Sequence, residues 1–337
     1  MVKQRWVSLL ALFASFFALC VIGLGAFTRL IDAGLGCPDW PGCYGHLTVP
    51  MADMVRESFP ALNVYKAWAE MIHRYFAGCL SLLTLAVIGL IVTKPLRTRA
   101  NLLFACGLLL LIAYQILLGQ WTVTLKLLPI VVTQHLLGGY LILSVLWLIY
   151  LNNRTNACPQ PVIFKSNALL WAAIVAFILL LTQIFLGAWT STNYASLSCP
   201  DFPFCVNSDP LQAILFKQAF HLFSPVGINY EGGVLPETVR QSIQMTHRLG
   251  ALILTGYLLI FTLIAMPKML PIPQLAQLIY IIWSLLFVQL CLGIVNVVYK
   301  LPLVTAISHT IIAVVLLLTM ITFIFKLVSL SRKVSVK

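Results

Sequence analysis

An all-α integral membrane protein, with eight transmembrane helices in two pseudo-symmetric four-helix bundles and both termini cytoplasmic, is the fold class this sequence predicts. Three observations carry that reading. The 337 residues are 61% hydrophobic and only 9% charged, and the mean hydropathy is +0.99, far outside the range of soluble domains. Apolar runs of about 20 residues, the length a helix needs to cross a bilayer, recur along the chain. The second half of the sequence also repeats the first.

The apolar runs cover approximately 7–27, 69–93, 101–123, 130–151, 167–190, 243–265, 275–298 and 304–326. Strand-like alternation is missing from all of them, which predicts helices rather than a barrel. The first run outlasts a signal peptide and has no cleavage site, so it reads as a retained helix. With the N-terminus inside, the inner segments carry twelve cations and no acid, among them Lys3, Arg5, Lys94, Arg97, Arg99, Lys165, Lys333 and Lys337. The outer segments hold the other nine cations and all nine acids. The whole charge of +12 thus falls on one side, a positive-inside signature. The basic balance is topology, and it gives no reason to expect a nucleic-acid partner.

The repeat is gapless over its first part. "VIGLGAFTRLIDAGLGCPDWPGCYG" (21–45) aligns with "QIFLGAWTSTNYASLSCPDFPFCVN" (183–207) at an offset of 162, with 12 of 25 positions identical. "EMIHR" (70–74) matches "QMTHR" (244–248), and "QILLG" (115–119) with His135 matches "QLCLG" (289–293) with His309, all at an offset of 174. The offsets differ by 12, an insertion in the second outer loop. Four helices per repeat give both halves the same orientation, related by an axis along the membrane normal. The domains are therefore 1–151 and 152–337.

Each half carries C-P-D-aromatic-P-x-C in its first outer loop. Cys37 with Cys43, and Cys199 with Cys205, are spaced to close tight bridged turns in an oxidising compartment. The second pair reads as a staple; the first is either a staple or a redox-active thiol couple. Cys20, Cys79, Cys106 and Cys291 lie in spans as small apolar residues, and Cys158 lies in an inner loop. His46 and His221 lack counterparts and read as interfacial, His221 within the amphipathic stretch 209–223.

The other four histidines form a system. His73 and His135 are 62 residues apart, as are His247 and His309, all near the outer ends of even-numbered helices. Packing could use many residue types and does not explain two equally spaced pairs. Zinc or copper would call for additional nearby ligands. An imidazole from each of two facing helices is how a bundle holds heme iron. Gly25, Gly187, Gly119 and Gly293 would allow close approach of helices or of a flat macrocycle. Arg74 and Arg248 are candidate propionate partners, or else snorkel to lipid headgroups. One asymmetry stands out: Glu70, three residues before His73 and on its face, is Gln244 in the second half. Either Glu70 exchanges protons in catalysis at the first site, or it is salt-bridged to Arg74 or Lys66. The first half would then transform a substrate while the second handles electrons.

At these residues the chain resembles the heme A synthase family, over essentially its whole length: eight helices in two halves, E-x-x-H-R in the second helix, single histidines in helices four, six and eight, and a first-loop cysteine pair. The resemblance implies an enzyme that converts heme O to heme A for cytochrome oxidase, by successive hydroxylation of the C8 methyl group to a formyl group. It further implies that His73 and His135 bind the substrate heme, that His247 and His309 hold a resident heme B, and that Glu70 is the family's catalytic acidic residue near the reacting methyl group. Implied surroundings are the plasma (inner) membrane, heme sites toward the outer, periplasmic side, membrane lipid, and heme O synthase and oxidase assembly factors as candidate partners, with homo-oligomerisation open. The alternatives are a di-heme transmembrane electron-transfer cytochrome and a heme transporter or chaperone without chemistry.

Overall fold

The computed structural model describes residues 2–51, 63–154, 167–203, 205 and 216–332. Cys158, Lys165, Lys333, Lys337 and positions 209–215 of the amphipathic stretch lie outside them. Eight long helices account for the fold: α1 Val2–Leu30, α2 Val64–Ile91, α3 Arg99–Thr124, α4 Pro129–Asn153, α5 Asn167–Thr192, α6 Glu237–Met269, α7 Pro273–Val298 and α8 Leu303–Arg332. All eight are long and apolar enough to cross a membrane, and this is a multi-pass membrane protein. No strand occurs among the described residues.

Helices outrun their apolar spans because composition marks only the hydrocarbon crossing, whereas the hydrogen-bond ladder continues through the interface. Thus α2 starts at Val64 rather than 69, where the Asn63 side chain accepts the Lys66 N–H at 3.1 Å and caps the first turn. Likewise α6 starts at Glu237 rather than 243. Glu70 and His73 consequently lie well inside α2 and not at its mouth.

Packing follows the repeat. Helix α1 packs on α2 and α4, and α3 on the same two; α5 packs on α6 and α8, and α7 on the same two. The two sets meet where α1, α4, α5 and α8 touch. These four are the inner helices: 44% of the apolar window of α4 is buried inside the protein against 17% for α2. One apolar cluster joins α4 to α5–α8 through Leu143, Leu258, Met269, Leu275 and Phe323. A second joins α1 to α2–α4 through Val7, Val87, Leu108 and Leu146.

Backbone conformation repeats as well. After α1 and α5 the chain closes with Ala33 N–H to Thr28 C=O and Ala195 N–H to Thr190 C=O, both 2.9 Å, across Asp32 and Tyr194 at φ 52° and 55°. After α3 and α7 the same closure runs from Leu127 to Thr122 and from Leu301 to Asn296, with Lys126 and Lys300 left-handed. These are Schellman-type ends built without glycine. Trp40–Pro41 and Phe202–Pro203 are both cis.

The halves are tied together at the ends that carry the C-P-D-aromatic-P-x-C loops. Arg29 of α1 donates to the Ser191 carbonyl and lies 3.7 Å from the Tyr194 ring centroid, and the Thr133 and Thr192 hydroxyls meet at 3.0 Å. The loop between α5 and α6 also crosses over. Tyr230 is buried against Leu118, Leu127, Leu128 and Val131, its N–H donates to Lys126 C=O at 3.1 Å, and Glu231 pairs with Lys66 at 3.7 Å. Removing a buried ring leaves a cavity, so Tyr230→Ala is expected to cost about 3 kcal/mol. A thermal-unfolding series in detergent should show it as a lowered midpoint with helix content unchanged.

Candidate heme-binding site

Helices α2 and α4 bring His73 and His135 together edge to face, ring centroids 6.5 Å apart and planes at 83°. His247 of α6 and His309 of α8 are likewise close enough to interact electrostatically. Each histidine lies against a glycine of the preceding odd-numbered helix. A Cβ added at Gly25 would stand 2.9 Å from His73 Cε1; at Gly119, 3.5 Å from His135 Cε1; at Gly187, 3.0 Å from His247 Cε1; at Gly293, 3.3 Å from His309 Cε1. The four repeated glycines thus form four cradles, one per imidazole.

These residues fit a tetrapyrrole iron. A metal midway between His73 and His135, at nitrogen distances of about 2 Å on each side, requires ring centroids about 6.4 Å apart, close to the separation seen. Among the described residues no three of His, Cys, Asp and Glu gather as a cage for a bare ion. The Nδ1 atom of His135 is buried without a hydrogen-bond partner. If the cradles hold ligand rings, Gly187→Val should push His247 aside. Protein loaded at both sites should then lose roughly half its bound heme in a pyridine hemochrome assay, at unchanged circular dichroism.

Above the histidines, each C-P-D-aromatic-P-x-C loop is latched to the even helix beneath it. Cys37 and Cys43 are at disulfide distance, Cα–Cα 4.8 Å, and Cys199 and Cys205 at 5.1 Å. The Cys37 N–H donates to Glu70 Oε2 at 2.9 Å, and the Cys199 N–H to Gln244 Oε1 at 2.9 Å. Both acceptors are buried. Arg74 donates to the carbonyls of Asp39, Pro41 and Gly42, and Arg248 to those of Cys199, Asp201 and Pro203. Both arginines therefore hold the loops, while Arg248 Nε stays buried and unpartnered.

The two latches differ at one atom. Glu70 Oε1 accepts from Arg74 Nη2 at 2.6 Å, whereas Gln244 Nε2 donates to the Ser196 carbonyl at 2.7 Å. Of the two cations that sequence allowed for Glu70, Arg74 is the partner, and Lys66 goes to Glu231. In the loop above, the Tyr44 phenol is pushed up from its ordinary value, first by burial, then by the charges of Asp39 and Glu70. His46 and His221 are exposed.

Sequence reasoning missed one participant. Gln183 Nε2 lies 3.1 Å from His247 Nδ1 and 3.0 Å from the His247 carbonyl. Its signal was Q-x-x-L-G, present at 115–119, 183–187 and 289–293; at 21–25 the glutamine position is Val21.

Two histidine pairs cradled by glycines and roofed by cysteine loops, in eight membrane-crossing helices, define a multi-pass membrane protein of heme-handling design. The COX15-CtaA family, described as Cytochrome oxidase assembly protein, matches residues 8–321, and the chain belongs to that family. It is 42% identical to the heme A synthase of Shewanella oneidensis over 315 residues, 91% of this chain and 92% of that one. It is 26% identical to the heme A synthase of Lysinibacillus sphaericus, over 98% of both chains. It is 23% identical to that of Rickettsia prowazekii, over 91% and 94%.

Proposed function

We propose that the protein oxidises heme O to heme A for cytochrome oxidase assembly. The observation that carries this reading is the single-atom difference between the two loop latches: a carboxylate, Glu70, in one half and an amide, Gln244, in the other. The relatives are named heme A synthase, which supports the substrate and product.

In this reading the half formed by 1–151 takes heme O between His73 and His135, and the half formed by 152–337 keeps heme B between His247 and His309. A bound heme B supplies one-electron transfer. The chain's own residues do the rest. Imidazoles seated on glycine fix the macrocycle plane, which holds the C8 methyl group in one place. Each of two hydroxylations breaks a C–H bond of that carbon and forms a C–O bond to a water oxygen, with two electrons and two protons passing to a two-electron acceptor from outside the chain; the first gives a hydroxymethyl group and the second a geminal diol, which loses water to the aldehyde. Glu70, held by the Cys37 amide and Arg74, is a proton acceptor in a water-poor setting. Arg74 and Arg248, each next in sequence to a histidine, are the candidate propionate partners, with Arg248 Nε as a buried donor that has no other partner. The cysteine pairs act as staples that keep the Cys37 and Cys199 amides aimed inward.

We infer two pseudo-symmetric bundles in the plasma (inner) membrane, with cytoplasmic termini and heme sites toward the outer face. Heme O synthase and oxidase assembly factors are the partners this activity calls for. The test is expression with heme O present, followed by extraction and mass analysis of the tetrapyrroles. Heme A or its hydroxymethyl precursor is expected. A tetrapyrrole that leaves unchanged would make the protein a carrier or an electron-transfer cytochrome instead.

A further inference from the structure

Resting on heme O as substrate, we propose that a groove between α1 and α2 seats the isoprenoid chain of that substrate. Heme O differs from heme B by a long hydroxyethylfarnesyl chain, almost wholly apolar, which must lie against apolar protein or lipid wherever the macrocycle is held. The groove, of about 550 Å³, is lined by Phe17 of α1 and by Tyr75, Phe76, Cys79, Leu83 and Ala86 of α2. Phe17 and Phe76 stack, centroids 5.5 Å apart and planes within 4°. Phe76 lies one turn from His73, so the groove starts beside the proposed ligand. From Tyr75 to Ala86 the strip runs along one stretch of α2 for about 16 Å, at 1.5 Å of rise per residue.

The second half is built differently at the equivalent places. Phe76 corresponds to Gly250 and Leu83 to Tyr257. Gly250 lets α5 close in: a Cβ there would stand 2.9 Å from Leu186 Cδ1 and would also overlap Gln183. The Tyr257 hydroxyl donates to the Ala172 carbonyl of α5 at 2.9 Å. Helices α5 and α6 are thus pinned together where α1 and α2 leave a groove. Membrane lipid bathes both halves alike and gives no reason for that difference. The tail does, because the proposed substrate has one and the proposed resident heme B has none.

Cys79 offers a direct readout, since it is a free, exposed thiol in the groove, while Cys106 on α3 and Cys291 on α7 are free, exposed thiols elsewhere. Full-length protein in lipid nanodiscs is equilibrated with heme O or heme B and alkylated with N-ethylmaleimide, and each cysteine is quantified by mass spectrometry. Heme O should slow alkylation of Cys79 severalfold relative to Cys106 and Cys291, and heme B should not. Equal protection by both hemes, or none while heme O is bound by absorbance, overturns the proposal. Ala86→Trp fills the strip and displaces several methylenes, so heme O should bind about tenfold more weakly and heme B as before; a fall for both or for neither counts against the groove. Selective protection without any heme A formed would leave the groove standing and remove the catalytic reading. Heme O that does not bind at all would remove both.

Discussion

Glu70→Gln is expected to keep the protein folded and heme-loaded while conversion of heme O falls by about 100-fold or more, the scale of a lost general acid or base. The second half supplies the reason to expect an intact fold. There Gln244 already accepts the Cys199 amide at 2.9 Å, so a glutamine at 70 can accept the Cys37 amide in the same way. Arg74 would lose its carboxylate but keep three loop carbonyls, the situation in which Arg248 is stable without a carboxylate partner. Glu70→Ala differs, because it leaves both the Cys37 amide and Arg74 without their buried acceptor, at about 1–3 kcal/mol for the unsatisfied donors. Thermal unfolding should therefore separate the two variants, and extracted tetrapyrroles should not. Unchanged conversion by Glu70→Gln would remove the carboxylate from the chemistry and leave it a latch.

Alanine at either histidine of a pair should empty one site and spare the other. His247→Ala or His309→Ala is expected to remove the resident heme, roughly half of the total at full loading, and conversion should drop to background with it. His73→Ala or His135→Ala should retain the resident heme spectrum and fail to retain heme O. The first- and second-half variants thus share a loss of heme A but differ in the pigment that remains, which pyridine hemochrome spectra read directly. Equal heme loss from all four variants would contradict the division of labour between 1–151 and 152–337.

The helices were legible because bilayer crossing is a matter of length and composition, both of which survive without tertiary information. Their ends were not: Val64 and Glu237 begin helices in polar sequence, where capping and interfacial hydrogen bonding decide. The histidine pairs were legible from equal spacing, and the glycines from their repetition, but which glycine cradles which imidazole depends on helix register. Glu70 stands out in the sequence because Gln244 replaces it at the matching position of the second half. That its carboxylate and the Gln244 amide do the same structural work, each taking a cysteine N–H from the loop above, could not be read, because such a bond joins segments 33 and 45 residues apart. The insertion in the loop between α5 and α6 was countable. Its direction, across to the first half, was set by Tyr230 finding an apolar site there.

That crossing has a consequence for biogenesis. The patch formed by Leu118, Leu127, Leu128 and Val131 belongs to the first four helices, which emerge from the ribosome first, yet its cover is Tyr230. During synthesis the patch stays open until α5 and the loop that follows it have been made. The N-terminal half is therefore completed by the C-terminal one, and a chain truncated after α4 would expose an apolar site that quality-control proteases can recognise.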